Sequence, residues 1–173
     1  ELTTTIAINS GAVDVNTVGS YEVTYSVADA SGNTQQLSRI VDVLDTISPV
    51  ITLIRANPQI IECHTSYAEL GATSTDTCSG DLNALIAVDR SGVDANRLGT
   101  YEVIYGVADA SGNAHQVTRT VHVVDTIAPV ITLLGADPQI IECHTAYVEL
   151  GATAADTCSG GLTSSLVIDS SPV

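Results

Sequence analysis

The chain repeats itself without a gap. Asp45-Thr46-Ile47-Ser48-Pro49-Val50 returns as Asp125-Thr126-Ile127-Ala128-Pro129-Val130, Tyr21-Glu22-Val23 as Tyr101-Glu102-Val103, Cys63 as Cys143 and Cys78 as Cys158, always 80 residues on. A period of this kind is a duplication, and it requires that one period form a structural unit whose copies follow one another along a line. Its phase divides the chain into a complete unit at 45–124, the C-terminal half of a unit at 1–44 and the N-terminal half of another at 125–173. Residues 1–13 share a phase with 161–173 yet differ in sequence, so the two ends are not one unit cut and rejoined. Two expectations follow: the natural chain extends beyond both ends, or each half-unit is completed by a neighbouring copy. Either way the object is linear.

What one unit can be is limited by its apolar residues. There is no Phe, Trp or Met, and six Tyr are the only aromatics. The core is therefore built from Val, Ile, Leu and Ala, and the branched members of that set favour a pleated surface. Within 45–124, strands are expected over 50–54, 59–62, 67–72, 82–89, 99–107 and 116–124, with a polar loop at 75–81. The clearest is 99–107: Tyr101, Val103, Tyr105 and Val107 share one parity while Glu102 and Gly106 share the other, the mark of one buried and one wet face. Asp109-Ala110-Ser111-Gly112-Asn113 then turns the chain back, since Gly and Asn tolerate positive φ. About seven short strands with turns every 8–12 residues predict an all-β protein of tandem immunoglobulin-like β-sandwich domains. The links around Asp45 and Pro49, and around Asp125 and Pro129, are short and stiffened by proline, so neighbouring units are expected to join end to end.

The formal charge is −15. Such a surface repels nucleic acid and anionic membranes and attracts cations. No apolar run approaches the roughly 20 residues that cross a bilayer, so no membrane insertion is expected within this segment. The sequence starts without a Met or a signal peptide, as a processed or truncated segment would.

Four segments together carry a resemblance: Asp45–Leu53, Tyr67–Thr73, Gly99–Tyr105 and Val107–Asn113. They resemble the bacterial surface-protein Ig-like repeat and the related HYR modules, in permuted phase over the entire chain. The resemblance implies an Ig-like sandwich used in strings on cell-surface and secreted proteins, with no catalytic residues to carry over. Cys63 and Cys78 depart from that family, which usually has other residues there.

Each period has two cysteines 15 residues apart. Paired cysteines in a small extracellular β domain predict a disulfide, and the expected bonds are Cys63–Cys78 and Cys143–Cys158. Two alternatives remain open. Cys63, His64 and Cys78 could offer three soft ligands to a metal, one fewer than a structural zinc site wants. The cysteines could also cross-link separate chains. The acidic loops offer calcium as a candidate cation: Asp29 and Asp109 open the Ser-Gly-Asn turns, Asp45 and Asp125 lie in the links, and Asp76 and Asp156 flank the cysteine loop. Asp and Asn are also ordinary turn residues that need no ion. No nucleophile, base and orienting acid can be placed together, so an enzyme is not expected and no cofactor is required. Arg39 and Arg119 lie on the apolar parity of their strands and are expected to pair with Glu22 and Glu102. His115 and His122 are expected at the surface.

The function expected from these readings is a structural segment of an extracellular filament, stalk or sheath, partnered by neighbouring copies of the same repeat or chain. The alternatives are the spacer of a cell-surface adhesin whose binding domain lies elsewhere, and an accessory segment of a secreted enzyme or toxin.

Overall fold

A computed structural model of the protein describes residues 6–169. Thirteen strands and two 310 turns make up its regular structure, and no α-helix occurs among the described residues. The strands are β1 (Ala7–Asn9), β2 (Gly19–Ala28), β3 (Thr34–Val43), β4 (Val50–Leu53), β5 (Gln59–Glu62), β6 (Ala72–Asp76), β7 (Gly80–Asp81), β8 (Ala87–Asp89), β9 (Gly99–Ala108), β10 (Ala114–Val124), β11 (Val130–Leu133), β12 (Ala152–Asp156) and β13 (Gly160–Gly161). They form four sheets, ordered β1-β2-β3, β4-β6-β7, β5-β10-β9-β8 and β11-β12-β13. The period 45–124 thus contributes a three-stranded and a four-stranded sheet, the complement of an immunoglobulin-like β-sandwich.

The period-two reading of the long hairpin holds at side-chain level. Val103, Tyr105 and Val107 on β9 and Val121 and Val123 on β10 are buried, while Glu102 and Ile104 face out. The same hairpin in the first repeat pairs β2 with β3 from Gly19↔Val43 to Ala28↔Thr34. β5 joins β10 in parallel, Gln59 opposite Val121 and Glu62 opposite Val124.

Two expected elements are displaced. Residues 67–71 are not a strand, because side chains capture their backbone before a ladder can: Glu69 accepts from the Gly71 N–H (2.8 Å) and the Tyr67 hydroxyl (2.8 Å), and Gln59 donates to the Ala68 carbonyl (2.9 Å). The third strand begins at Ala72 instead and runs through residues assigned to a polar loop. Residues 82–89 are broken by a 310 turn at Asn83–Leu85, where Asp81 accepts from the Asn83 N–H, so only Ala87–Asp89 is extended.

The chain forms two compact units. One comprises the chain up to Thr52 with Ala72–Ala87 and Gly106–Val117; the other comprises Leu53–Gly71, Val88–Tyr105 and the chain from Thr118 onward. The first holds the β1-β2-β3 sheet and the β6–β7 turn; the second holds β5 and the β11-β12-β13 sheet. Residues of the 45–124 period fall in both.

Candidate functional site

Three of the six expected calcium ligands converge. Asp45, Asp76 and Asp109 each bring a ligand oxygen within 4.8 Å of the others. Each is placed by local backbone chemistry. Asp109 anchors its turn by accepting from the N–H groups of Ser111 (2.9 Å) and Asn113 (2.8 Å). Asp76 caps the β6–β7 turn by accepting from Cys78 and Ser79 (both 2.8 Å). Asp45 is tied to that same turn of Asp109 through Asn113, whose side-chain amide donates to the Asp45 carbonyl (3.2 Å). Those bonds use one oxygen of Asp76; its Oδ2 and that of Asp45 are buried without a hydrogen-bond partner. Asp76 is only 9% exposed. A buried carboxylate oxygen without a donor is expensive, and a hard cation is the species that such oxygens suit.

The other three expected ligands occupy equivalent but incomplete positions. Asp29 anchors the same kind of turn, through Ser31 and Asn33. Asp125 and Asp156 are linked through Ser159, whose N–H donates to Asp156 (2.7 Å) and whose hydroxyl donates to Asp125 (3.4 Å); Asp156 Oδ2 is again buried and unpartnered.

The cysteines pair differently from expectation. The bond joins Cys63 to Cys158, with Cα atoms 5.7 Å apart, while Cys78 and Cys143 are exposed free thiols. Bonds within a period, Cys63–Cys78 and Cys143–Cys158, do not form. The reason lies in the β5–β10 pairing. Cys63 follows β5 and donates its N–H to the Val124 carbonyl (2.9 Å), at the point where β10 runs into the Asp125 link. Its sulfur is thereby delivered to the start of the next repeat. Cys78 sits on the β6–β7 turn, and Cys158 on the matching turn between β12 and β13. The separation of 95 residues is one period plus the 15-residue spacing, a relation visible in the sequence once cysteines are matched across periods. With its sulfur in a disulfide, Cys63 has no thiolate for the alternative metal site.

Around this bond the link is held by further contacts. Glu62 accepts from the N–H (2.7 Å) and hydroxyl (2.8 Å) of Thr126, and the His64 N–H donates to the Ala95 carbonyl (2.8 Å). Pro49 is fully buried, whereas Pro129 is exposed.

Arg119 lies inside, as its parity predicts, but its partners are not the expected carboxylates. Arg119 is wholly buried and reaches no carboxylate of Glu102. It donates to the carbonyls of Ile54 (2.8 Å), Gly71 (2.9 Å) and Ala56, and its Nε donates to the Tyr105 hydroxyl (3.1 Å), which in turn donates to Glu69. Burial pushes Glu69 upward, but the bonds from Tyr105, Gly71 and Tyr67 and the nearby Arg119 charge outweigh it and hold the carboxyl below its ordinary range. Arg39, the equivalent residue, is exposed and lies over the Tyr25 ring at 5.6 Å.

The profile of the family described as "bacterial surface protein, Ig-like domain" matches residues 1–43 and 51–123. The chain belongs to that family. Surface Ig-like modules of this kind are extracellular or cell-surface domains and typically non-enzymatic. Among the described residues no helix is long and apolar enough to cross a membrane. Three proteins are similar in sequence: an uncharacterized 81.3 kDa protein of Acholeplasma phage L2 (30% identical over 90% of this chain and 22% of that protein), the pesticidal crystal protein Cry22Aa of Bacillus thuringiensis (31%, 65% and 16%) and hyalin of Strongylocentrotus purpuratus (30%, 75% and 11%). The Ig-like chain therefore spans under a quarter of each relative's length. Among solved structures, the lipoprotein BT2262 of Bacteroides thetaiotaomicron is 25% identical, with a TM-score of 0.40 over 46% of this chain and 39% of that one.

Proposed function

We propose that this chain is a load-bearing segment of an extracellular filament, stalk or sheath, made of Ig-like units that meet at Asp45 and Asp125 and partnered by further copies of the same repeat. The observation that carries the reading is the Cys63–Cys158 bond, which ties residues of two consecutive periods together covalently. The Glu62–Thr126 contacts reinforce the same junction. A module whose purpose was to bind a soluble ligand would need no such staple between repeats. Calcium at Asp45, Asp76 and Asp109 is part of the proposal, because it would neutralise three converging carboxylates beside the first link.

The test is electron microscopy of the purified oxidised chain. Straight rods or ordered fibres with a regular axial repeat are expected; flexible beads or structureless globules would overturn the reading. A second reading, the spacer of an adhesin, is favoured by how much longer the similar proteins are than this chain. It predicts rods that stay monomeric at high concentration, whereas a filament component assembles.

A further inference from the structure

The acidic cluster at Asp45, Asp76 and Asp109 lies wholly within the complete period and within the first compact unit. Its three acids are built alike. Each accepts at Oδ1 from the N–H two residues on: Asp45 from Ile47 (3.2 Å), Asp76 from Cys78 (2.8 Å) and Asp109 from Ser111 (2.9 Å). Such a turn fixes the carboxylate and leaves its second oxygen for other use. At Asp109 that oxygen accepts from the Asn113 side-chain amide (2.9 Å). At Asp45 and Asp76 it is buried without a donor. Asp76 is 9% exposed and Asp109 8%, so little water reaches the site. Every donor to the three acids among the described residues is a backbone N–H or the Asn113 amide, and none carries a positive charge. Three like charges this close, two of them with a bare buried oxygen, call for a cation.

The bare oxygen is not an accident of one loop. In the next repeat Asp156 holds its turn in the same way, accepting from Cys158 (2.8 Å) and Ser159 (2.7 Å), and its Oδ2 is again buried without a donor. The donor set also selects the ion. Carboxylate oxygens suit a hard cation. Two ligands of one ion lie no further apart than twice the metal–oxygen distance, about 4.6–5.2 Å for calcium and about 4.0–4.2 Å for magnesium. Ligand oxygens within 4.8 Å of one another are in calcium's reach as they stand, whereas magnesium demands a tighter and near-ideal octahedron.

What the ion does follows from Asp45. Residues 44–49 link β3 to β4. Among the described residues this link is held by two hydrogen bonds, both through Asp45: the Ile47 N–H on its carboxylate and the Asn113 amide on its carbonyl (3.2 Å each). Leu44 and Ile47 on either side are exposed. We propose that calcium bound at Asp45, Asp76 and Asp109 latches the β3–β4 link onto the β6–β7 and β9–β10 turns, so that the calcium concentration sets how firmly one repeat is joined to the next. The proposal rests on the reading of Asp45 as a meeting point of Ig-like units and assigns that junction its control.

The experiment is hydrogen–deuterium exchange of the full chain, stripped with EDTA and then returned to calcium chloride or magnesium chloride at about 10 mM. The Ile47, Cys78 and Ser111 amides should slow together by about 10–100-fold in calcium, the factor given by a Kd of about 10⁻⁴–10⁻³ M, and by less in magnesium. The Ser31 and Asn33 amides, held by Asp29 in a turn of the same kind outside the cluster, should not change. Asp76→Asn keeps the oxygen that accepts from Cys78 and Ser79 and puts an amide donor where the bare oxygen was. It should abolish the calcium response and melt about 2–4 °C above the calcium-free parent, and Asp45→Asn should do the same. Both variants melting below the calcium-free parent would reduce these acids to turn caps and overturn the proposal. So would calcium that slows the turns without the link, or none of the three segments. Rods that form while link exchange ignores calcium would remove the latch and leave the array reading intact; flexible beads whose link tightens in calcium would do the reverse.

Discussion

Asp76 holds the β6–β7 turn with one carboxylate oxygen and leaves the other buried without a donor, so its chemistry is half local and half shared. Its neighbour Asp109 is held below the ordinary carboxylate range: burial raises it, but the bonds from the Asn113 side chain and from the backbone of Asn113, Ser111 and Gly112 prevail. Asp29 is lowered in the same way, chiefly by the Asn33 side chain. A depressed folded pKa gives stability that is complete above the unfolded value near 3.8 and is lost as pH falls through the folded value, so these turns loosen only in strong acid. Cys78 goes the other way, pushed up by local desolvation and then by the Asp45, Asp76 and Asp109 charges. Calcium would remove that second contribution. With a Kd in the range of about 10⁻⁴–10⁻³ M, 10 mM calcium should stabilise the protein by about 1.4–2.7 kcal/mol and speed alkylation of Cys78 but not of Cys143. Asp76→Asn should abolish both effects. A melting curve indifferent to calcium and to EDTA would remove the ion from the account. The sequence named all three acids of this cluster, because turn-forming Asp residues are recognisable singly. It could not separate them from Asp29, since convergence depends on which loops share a pole.

At the scale of elements, the β9–β10 hairpin was readable throughout, because alternation and a Gly-Asn turn are local signals. The segment at 67–71 was not, because its apolar pattern suits a strand and only the Glu69 and Gln59 side chains prevent one. Arg119 shows a third kind of limit. Its parity placed it inside, but a spacing argument supplies carboxylate partners more readily than carbonyls from residues 48 to 65 positions away. Removing it leaves three carbonyls and the Tyr105 hydroxyl without their donor. Arg119→Ala should therefore cost about 3–5 kcal/mol in urea denaturation. Arg39→Ala in dilute protein should fall within about 0.5 kcal/mol of the parent. Equal losses at the two sites would overturn the buried-donor role assigned to Arg119.

For the whole molecule, the 80-residue period marks a duplication, and the family profile matches residues 1–43 and 51–123. The pairing of cysteines was hidden because proximity in sequence suggests a loop of 15 residues, whereas the fold closes one of 95. In the chain-entropy view a loop of this length contributes about 4–5 kcal/mol. Cys158→Ala should lower the melting temperature by the equivalent amount, and Cys78→Ala should not; the reverse order would mean that the bond within the period had formed.

The same bond sets how the chain answers to being pulled. Tension applied before Cys63 and after Cys158 passes through one sulfur–sulfur link and skips everything between, so roughly 300 Å of contour can never be drawn out. A string of repeats stapled at each junction would route force from one cysteine to the next through the 15 residues that separate them, and would behave as a tether of fixed length even with its sandwiches melted.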